Sequence, residues 1–424
     1  MNICFLTPRF PYPALKGDTL RAFHQLRALR ARGHRLTLVS LNDRPVTTEQ
    51  LGPVAALCSH VHVVVHPRWK AALGVAAGLF TRRPLQICYF RSARFRRVLD
   101  AVLGSERFDA LHVSLIRMAP YAEALAPRMP VVLDLVDAIS LNLLSRMEEQ
   151  RGPLRAAYAL EYQRVRDAER DATRCFPRLV ISSPVDRELL GPHAQVIPNG
   201  VDLDAFPFRS PEERDPETLI FTGNMAYPPN EEGVLWFAQR AWPLLQAKRP
   251  GLRLEIAGAS PGARLRALGE RDPRIAVLGR VPRMADHLGR ATISICPLQS
   301  GSGIQNKVLE AMATGTPVVS TTVGNQGVQA APDRELLIAD APEDFAAAVD
   351  RLLEDAELRA YLATYGRAFV EERFRWEAHA RALEALYAGG APELEPRLFI
   401  PGGRLMAGRC AASAIAERNR AQLD

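Results

Sequence analysis

The chain has 424 residues, of which 47% are hydrophobic, and its formal net charge at pH 7 is +7. This length exceeds one ordinary hydrophobic core and predicts two domains of roughly 150–200 residues each, and the apolar content excludes a disordered chain. No run in the sequence approaches the roughly 20 apolar residues of a membrane-spanning helix, and the basic balance favours anionic partners.

Short β-rich runs alternate with helical patterns through the first half of the chain. The runs are almost continuously hydrophobic, as in parallel strands that are covered on both faces. They span Asn2–Thr7, Arg35–Leu41, Val61–Val65, Ala110–Ser114, Val131–Val136 and Leu179–Ser182. Between the first two runs, the pattern predicts a helix from about Thr19 to Arg32 that stops at Gly33. This alternation predicts a parallel, doubly wound sheet.

A stretch rich in proline and acidic residues, 205–216 (AFPFRSPEERDP), predicts a linker, after which the alternation begins again. We expect strands at Leu219–Thr222, Leu254–Ala257, Ile275–Leu278, Ile293–Cys296, Pro317–Ser320 and Leu336–Ile338. Helices are expected near Glu231–Lys248, Pro261–Gly269, Arg283–Arg290 and Gln305–Thr314. From Pro342 to about Gly389 the pattern predicts helices without strands. Two such domains enclose a cleft, the usual place for a ligand.

The cysteines and the N-terminus bear on the cellular compartment. The six cysteines are scattered without a CxxC pair, which predicts reduced, mostly buried thiols. The run Met1–Pro8 lacks the basic region and the cleavage site of a signal peptide. We therefore expect a cytoplasmic protein.

The densest chemistry lies at 297–320 (PLQSGSGIQNKVLEAMATGTPVVS), where a strand, a glycine–serine loop and a helix follow one another. Free N–H groups and the positive end of the helix dipole suit a diphosphate. Lys307 can add a charge beside the phosphates, and Glu310 can accept hydrogen bonds from ribose hydroxyls. A purely structural interpretation competes, because Ser302 with Gln305 fits a capping box and Lys307 with Glu310 fits a surface ion pair.

The loop before the first helix is a second candidate site. Gly17 allows the backbone to approach a ligand closely, and the helix N-terminus favours an anion. Asp18 as the N-cap of that helix is the structural alternative. The first strand is not followed by G-x-G-x-x-G, which argues against a dinucleotide oxidoreductase.

Two further candidates lie at strand ends in the first half. Asp137 ends the run VVLDLVD, where strands of an open α/β sheet face the crevice, and it can orient an acceptor hydroxyl or act as its base. Asp134 is expected to face packing. His112 is placed where it could point into the cleft, although a lone histidine there is more often structural.

The segment Glu310–Val319 (EAMATGTPVV) resembles the nucleotide-sugar site of family 4 glycosyltransferases. That family's pattern is Glu, seven residues, Glu, then Ala-Met-Ala-x-Gly-x-Pro-Val-Val, and its second Glu, which binds ribose, corresponds to Glu310. The first Glu corresponds to Ser302. The sequence GIQNKVLE resembles that of sugar transferases associated with PEP-CTERM/exosortase exopolysaccharide systems. The resemblance implies donor-binding roles for Ser302, Gly303, Ile304, Lys307 and Glu310.

The resemblance extends over roughly Asn2 to Trp376. Val196–Asp202 (VIPNGVD) matches the signature before the interdomain linker. Leu6–Arg21 (LTPRFPYPALKGDTLR) resembles the family's N-terminal glycine loop, with Gly17-Asp18 where many members have Gly-Gly, which implies donor contacts at these two residues. Gly279-Arg280-Val281 resembles the segment whose backbone contacts the base, which implies donor contacts at Arg280 and Val281.

One departure concerns the charge beside the diphosphate. The family usually places an Arg and a Lys after the first strand of the second domain. This chain has 223–231 (GNMAYPPNE) there, with Asn224 and Asn230 and no positive charge. The resemblance still implies donor contacts at Gly223 and Asn224. We expect Lys307, the helix N-terminus and either Arg280 or Arg283 to stabilise the diphosphate instead.

The resemblance implies an α/β GT-B fold with two doubly wound Rossmann-like domains facing across a cleft. We predict an acceptor-side domain over residues 1–204, a nucleotide-sugar domain over 205–373, and over 374–424 a helix that packs back on the first domain, followed by an irregular tail. The implied reaction moves a sugar, with retention at the anomeric carbon, from a UDP- or GDP-sugar to a sugar or lipid-linked acceptor, without a cofactor or metal.

Two other readings of the same residues stay open. A GT-B sugar-nucleotide epimerase needs no acceptor, and a non-catalytic relative would bind the nucleotide sugar as a scaffold. Because Ser302 stands where the family has its first Glu, we find no clear carboxylate nucleophile and favour a front-face path for a transferase.

Residues 50–99 contain no Asp or Glu and carry eight Lys or Arg, with aromatic residues between them. A solvated basic face is one interpretation. The other is a peripheral contact with the anionic inner face of the plasma membrane, which would bring the protein to a lipid-linked acceptor. No nucleic-acid motif accompanies the charge, so we expect no nucleic-acid partner.

Overall fold

The computed structural model describes residues 1–301 and 303–390, which form two parallel sheets connected by helices. The first sheet has the order β3-β2-β1-β4-β5-β6-β7 and the second has the order β10-β9-β8-β11-β12-β13. The strands are β1 (Asn2–Thr7), β2 (Arg35–Asn42), β3 (His60–Val65), β4 (Ala110–Ser114), β5 (Val131–Asp134), β6 (Arg178–Ile181), β7 (Ala194–Val196), β8 (Thr218–Thr222), β9 (Arg253–Ala257), β10 (Ile275–Gly279), β11 (Ile293–Cys296), β12 (Val318–Ser320) and β13 (Leu337–Ile338).

Helices connect the strands in both halves of the chain. In the first half they are α1 (Gly17–Ala31), α2 (Thr48–Ala55), α3 (Arg68–Gly78), α4 (Leu85–Tyr89), α5 (Ala93–Ser105), α6 (Ile139–Glu149), α7 (Gly152–Cys175) and α8 (Pro184–Leu190), with a 3₁₀ helix at Ile116–Tyr121. In the second half they are α9 (Pro228–Trp236), α10 (Trp242–Lys248), α11 (Ala263–Arg271), α12 (Met284–Arg290), α13 (Asn306–Ala313), α14 (Thr322–Asn325), α15 (Pro342–Glu354), α16 (Ala356–Arg373) and α17 (Trp376–Tyr387).

The parallel, doubly wound character of both sheets is confirmed. Every strand pair is parallel, and the strands named from the sequence are present to within two residues at each end. Buried side chains form one core on each face of the first sheet and a third core in the second half. The stop of α1 at Gly33 is also confirmed, since that residue has φ +85°.

The single helix expected over 231–248 is interrupted. A π-helical turn, Phe237–Ala241, separates α9 from α10. Pro243 lies in the first turn of α10 and has no N–H to continue the ladder, so the chain changes its hydrogen-bond pattern just before it. The strand β7 was missed, because its short sequence, Ala194-Gln195-Val196, has a polar residue at its centre and is not a continuous apolar run.

The chain passes between the two halves at two adjacent places. Val201 pairs with Arg375 in an isolated parallel bridge, and its N–H donates to the carbonyl of Phe374 at 2.8 Å. A side chain at Gly200 would collide with the ring of Trp376, 2.7 Å from where its Cβ would lie. The close approach therefore requires glycine at this position.

The helix α17 packs on the first sheet. Trp376 stacks on His24 with ring centroids 5.1 Å apart, and the Tyr387 hydroxyl lies 2.8 Å from Nδ1 of His112. Glu384 pairs with Arg32 of the loop after α1. The predicted tail that follows, 391–424, lies outside the described residues.

The segment predicted as a linker, 205–216, is attached to the second half. The Arg214 guanidinium donates hydrogen bonds to the Thr316 hydroxyl and to the carbonyls of Ala291 and Thr314, at 2.8–3.0 Å. Burial lowers the pKa of Arg214 to about 10. The segment is thus fixed to the second half by hydrogen bonds, although its proline-rich composition indicated a free linker.

A buried arginine on α1 connects the elements that surround the cleft. Arg21 and Asp134 are each 1% exposed, and Nε of Arg21 lies 2.7 Å from Oδ2 of Asp134 at the end of β5. The other guanidinium nitrogens donate to the carbonyls of Ile197 and Pro198 and to Oδ1 of Asn199, at 2.8–3.0 Å. Arg21 thereby ties α1, β5 and the first crossing segment together.

Removal of one partner of this pair is expected to leave an uncompensated buried charge. Arg21→Met or Asp134→Leu should each lower the free energy of unfolding by about 3–5 kcal/mol, measured by urea denaturation followed by circular dichroism. The double variant should lose clearly less than the sum of the two losses. Strict additivity would show that the two side chains do not act as a pair.

Candidate functional site

Contacts between the two halves meet at the N-terminus of α13. Asn199 of the first crossing segment donates to Oδ1 of Asn306, the first residue of α13, at 3.1 Å. The Tyr227 hydroxyl lies 3.4 Å from Oδ1 of Asn142. A Cβ placed on Gly303 would lie 2.4 Å from Oδ1 of Asp137, so this carboxylate sits directly against the loop before α13.

The loop before α13 is made close-fitting by glycine. Gly303 has φ +70°, a conformation that favours glycine, and a Cβ on Gly327 would lie 2.1 Å from the Gly303 carbonyl. Ile304 packs partly buried against the core of the second half. Gln305 occupies the N-cap position of α13. Ser302, a predicted donor ligand and capping residue, lies outside the described residues.

Lys307 is held in a specific position on α13. Its ammonium donates to Oδ1 of Asn230 at 2.5 Å, lies 3.4 Å from Oε1 of Gln305, and sits 5.0 Å from the centroid of the Phe221 ring. Only 9% of the residue is exposed, and burial lowers the pKa of Lys307. The cation is therefore fixed rather than solvated, unlike one member of a surface ion pair.

Glu310 lies one turn after Lys307 and is half-buried. Burial raises the pKa of Glu310 to about 7, and the positive charge of Lys307 opposes that rise. The carboxylate oxygens thus have acceptor capacity in a place with little water, which is the property required for binding vicinal hydroxyls.

The loop after β8 lacks a positive charge of its own but is tied to Lys307. Asn230 is buried and donates from Nδ2 to the carbonyl of Asn224 at 2.9 Å while its Oδ1 accepts from Lys307. A Cβ on Gly223 would lie 2.8 Å from that same amide. The sequence analysis did not foresee this role of Asn230, which connects the loop residues Gly223 and Asn224 to Lys307.

The end of β10 lies two strands from β8 in the sheet. Arg280 is exposed, and Val281 packs partly buried against the core of the second half. Arg283 is also exposed, with Nε 3.6 Å from Asp286. The N–H of Gly258 donates to the Gly279 carbonyl at 2.7 Å, which joins the ends of β9 and β10.

Asp137 is held in place by a strained turn at the end of β5. Val136, a β-branched residue, has φ +65°, and the N–H of Asp137 donates to the Leu135 carbonyl at 2.8 Å. Such a turn costs about 1–3 kcal/mol and must be held by its surroundings. Asp134 accepts from the Val136 N–H at 3.1 Å and so supports it. Arg21, which holds Asp134, therefore also helps to aim Asp137.

The surroundings of Asp137 are acidic and poorly hydrated. Burial raises the pKa of Asp137, although the Ser182 hydroxyl donates to Oδ1 at 3.1 Å. Behind it, burial and the charges of Asp137 and Glu169 raise the pKa of Asp186 to about 8, so Asp186 is largely protonated at neutral pH. A carboxylate with a raised pKa beside a cleft is a candidate general base.

His112 is placed in the core rather than in the cleft. The residue is 0% exposed, its ring stacks on Phe5 at 4.1 Å, and its Nδ1 is paired with the Tyr387 hydroxyl. Burial lowers the pKa of His112 to about 4, so the ring is neutral. The expectation that it reaches a substrate is corrected. Asp134 was expected to face packing, and it is buried in an ion pair with Arg21.

The loop at the start of α1 differs from its prediction in one respect. The helix begins at Gly17 with Lys16 as the N-cap, so Asp18 lies in the first turn and does not cap the helix. Asp18 instead pairs with Arg9 at 2.7 Å. Its charge contributes to the raised pKa of Asp137, so the two carboxylates lie near each other.

The chain is similar to known glycosyl transferases in both sequence and structure. Residues 216–355 match the family model described as glycosyl transferases group 1. Over 230 residues the chain is 31% identical to glycogen synthase of Mycobacterium tuberculosis, a match that covers 50% of this chain and 54% of the relative. The chain spans about half the length of the curated relatives it matches.

Solved structures resemble the chain over nearly its whole length. Sucrose-phosphate synthase from Thermosynechococcus elongatus matches with a TM-score of 0.67 and 17% identity, covering 92% of this chain and 99% of that one. Anabaena HepE in complex with UDP-glucose matches with a TM-score of 0.64 and 15% identity, covering 92% and 100%. The fold is therefore GT-B, as the sequence resemblance implied, and the part of the chain that carries β8, α13 and β12 matches the group 1 glycosyl transferases.

Proposed function

We propose that the protein is a retaining glycosyltransferase that moves a sugar from a UDP- or GDP-sugar to a sugar or lipid-linked acceptor. The main observation behind it is that Asp137 lies directly against Gly303, in the loop that leads into the helix carrying Lys307 and Glu310. We propose that this transfer contributes to the assembly of a bacterial exopolysaccharide or another cell-surface glycan, because the sequence GIQNKVLE resembles transferases of such systems.

In this proposal, the donor lies along the carboxyl edge of the second sheet. The backbone N–H groups at the start of α13 bind the diphosphate, and Lys307 adds a fixed positive charge. Glu310 accepts hydrogen bonds from the ribose hydroxyls, and the backbone near Arg280 and Val281 contacts the base. That HepE, a protein of the same fold, has been solved in complex with UDP-glucose supports a nucleotide sugar as the class of donor.

The reaction follows from what the residues can stabilise. Negative charge develops on the leaving diphosphate, and Lys307 with the helix N-terminus stabilises it without reorganisation. The departing phosphate helps to take the acceptor proton on the front face, and Asp137 orients the acceptor hydroxyl from the opposite side of the cleft. The scheme uses no metal and no cofactor beyond the nucleotide sugar.

A direct experiment separates the proposed activity from the two alternatives. The protein is incubated with UDP-, GDP- and ADP-sugars with and without added acceptors, and the product is identified by mass spectrometry and NMR. A transferase makes a glycoside only with an acceptor, and retention requires the donor's anomeric configuration in the product. An epimerised nucleotide sugar formed without acceptor, or binding without turnover, would favour the epimerase or the scaffold.

Loss of the Lys307 charge is expected to slow the sugar-transfer step. Lys307→Met should lower kcat by about 10²–10³-fold, because one preorganised electrostatic contact to a developing charge has this effect. Steady-state kinetics with the best donor measures it, and Lys248→Met, which removes an exposed lysine, is the matched control. Unchanged kcat in Lys307→Met would remove this residue from the proposed mechanism.

The raised pKa of Glu310 predicts a pH-dependent effect of its removal on stability. The folded protein binds a proton at Glu310 up to about pH 7, whereas a glutamate in the unfolded chain loses it near pH 4.3, so stability from this group is lost as pH rises between these values. Glu310→Gln should therefore stabilise the ligand-free protein by about 1–2 kcal/mol at pH 8, and much less at pH 5.

The measurement is the difference in thermal midpoint between wild type and Glu310→Gln from pH 5 to pH 8. The same variant should bind UDP more weakly at pH 8, since it loses the charged acceptor for ribose. A stability difference that does not change with pH would contradict the assignment of a neutral-range pKa to this carboxyl.

We further propose that α3 and the loop after it contact an anionic membrane. No helix in the described ranges is long and apolar enough to cross a membrane. However, Trp69 and Leu73 of α3 are each 62% exposed and Phe80 is 93% exposed, within the segment that has no acidic residue. Exposed apolar side chains among basic ones are typical of a surface that lies at a bilayer interface.

Replacement of the exposed apolar side chains is expected to weaken membrane binding. Each of Trp69→Ser and Phe80→Ser should reduce partitioning onto vesicles that contain phosphatidylglycerol by about tenfold, through the lost burial of one aromatic side chain. Vesicle flotation measures this, with Leu244→Ser, an exposed leucine elsewhere, as the control. Absent binding, or binding of wild type that does not weaken with salt, would contradict the proposal.

A further inference from the structure

A cavity of about 830 Å³ opens at the carboxyl ends of β1, β2 and β3, and all of its walls belong to the first half of the chain. This volume is ample for a sugar-sized ligand. Basic side chains dominate its charged lining, with Asp43 as the acidic member. They are Arg9, Lys16, Arg44, Arg68 and Arg117.

The nearby carboxylates do not balance these charges. Arg68 pairs with Asp43 at 2.8 Å, and Arg9 pairs with Asp18 at 2.7 Å. Within the described part of the chain, no ion pair joins Lys16, Arg44 or Arg117 to a carboxylate. The cavity thus keeps a surplus of positive charge, and an anion is the ligand chemistry that would compensate it.

Arg117 is the least hydrated of these cations. It follows Leu115, which has φ +67° just after β4, and its side chain donates to Oε1 of Gln86 at 3.1 Å and lies 5.5 Å from the ring of Phe90. Burial, together with the charge of Arg9, lowers the pKa of Arg117 to about 10. The guanidinium groups of Arg9 and Arg117 repel each other in this cavity, and an anion bound between them would offset that repulsion.

The cavity adjoins the proposed reaction site along the start of α1. Lys16 and Thr19 at the start of α1 line it together with Arg9, and Arg9 pairs with Asp18, whose charge contributes to the raised pKa of Asp137. Tyr12 and Tyr89 also line the wall and offer hydroxyls beside apolar rings. A ligand anchored here can present a hydroxyl toward Asp137.

We propose that this cavity is the acceptor subsite and that it recognises a phosphate group on the acceptor. Arg117, Arg9 and Lys16 bind the phosphate, Arg44 attracts it from the rim, and the tyrosines contact the rest of the acceptor. The inference rests on the proposed transferase function, whose acceptor it specifies. The phosphate belongs either to a free sugar phosphate or to the head of a prenyl phosphate.

The test uses the full-length protein and measures binding by calorimetry, separately for each side of the cleft. Glucose 6-phosphate and farnesyl phosphate represent the two sources of phosphate, glucose is the neutral control, and UDP reports the donor side. Glucose 6-phosphate or farnesyl phosphate should bind at least tenfold more tightly than glucose, and whichever binds identifies the source. UDP should not compete with it.

Two variants assign this binding to the cavity. Lys16→Gln combined with Arg44→Gln replaces exposed side chains, and it should weaken phosphate binding by about 10- to 100-fold while UDP binding changes less than twofold. Arg117→Lys keeps the charge but loses the planar donor group and should show an intermediate loss. Arg240→Gln, an exposed arginine in the second half, is the control and should change neither.

Equal binding of glucose and both phosphates, unchanged phosphate binding in the Lys16/Arg44 double variant, or displacement of the phosphate by UDP would each overturn the acceptor subsite. These outcomes are distinct from failure of the proposed function. A protein that binds UDP but no phosphorylated acceptor keeps the donor site and loses this inference. A protein that binds the sugar phosphate without UDP and turns over no nucleotide sugar loses the proposed function.

Discussion

The buried ion pair between Arg21 and Asp134 constrains most of what surrounds the cleft. Two charges without water are costly to keep, and they persist only where geometry satisfies all their hydrogen bonds. Here the guanidinium satisfies carbonyls of the first crossing segment, and the carboxylate supports the backbone of Val136. The direction of Asp137, the start of α1 and the crossing at Asn199 therefore depend on one another.

The same network reaches the second half of the chain through a single amide. Asn199 accepts from Arg21 and donates to Asn306 at the N-terminus of α13. In α13, Lys307 is held by Asn230, which also fixes the loop after β8. A polar path thus runs from the core of the first half to the helix that we propose binds the donor diphosphate, so its parts are positioned before a ligand arrives.

The fold was predictable because its signals are local. Apolar runs covered on both faces gave nearly every strand, and alternation with helices gave the parallel topology. The signals failed where packing decides. The three residues of β7 have no pattern of their own, Pro243 changes the hydrogen-bond pattern of a helix that looked continuous, and Arg214 fixes a segment whose composition suggested a free linker.

The candidate site was partly predictable for the same reason. Lys307 and Glu310 lie within one short motif, whereas the approach of Asp137 to Gly303 joins residues far apart in the chain. Arg21 stood in the sequence as one basic residue among many, and nothing local indicated that it is buried. His112 was placed on the correct strand, but its side chain faces Tyr387 in the core, which sequence spacing could not distinguish.

Gly303 has a mechanical consequence for the enclosure of a substrate. Because Gly303 has no side chain, the Asp137 carboxylate of the first half can approach it closely, and a Cβ on Gly303 would lie only 2.4 Å from Oδ1 of Asp137. The smallest residue thus sets how narrow the gap between the walls becomes. Even one methyl group there would push the Asp137 carboxylate away from the loop before α13, and it would admit water to the place where we propose that the glycosyl donor binds.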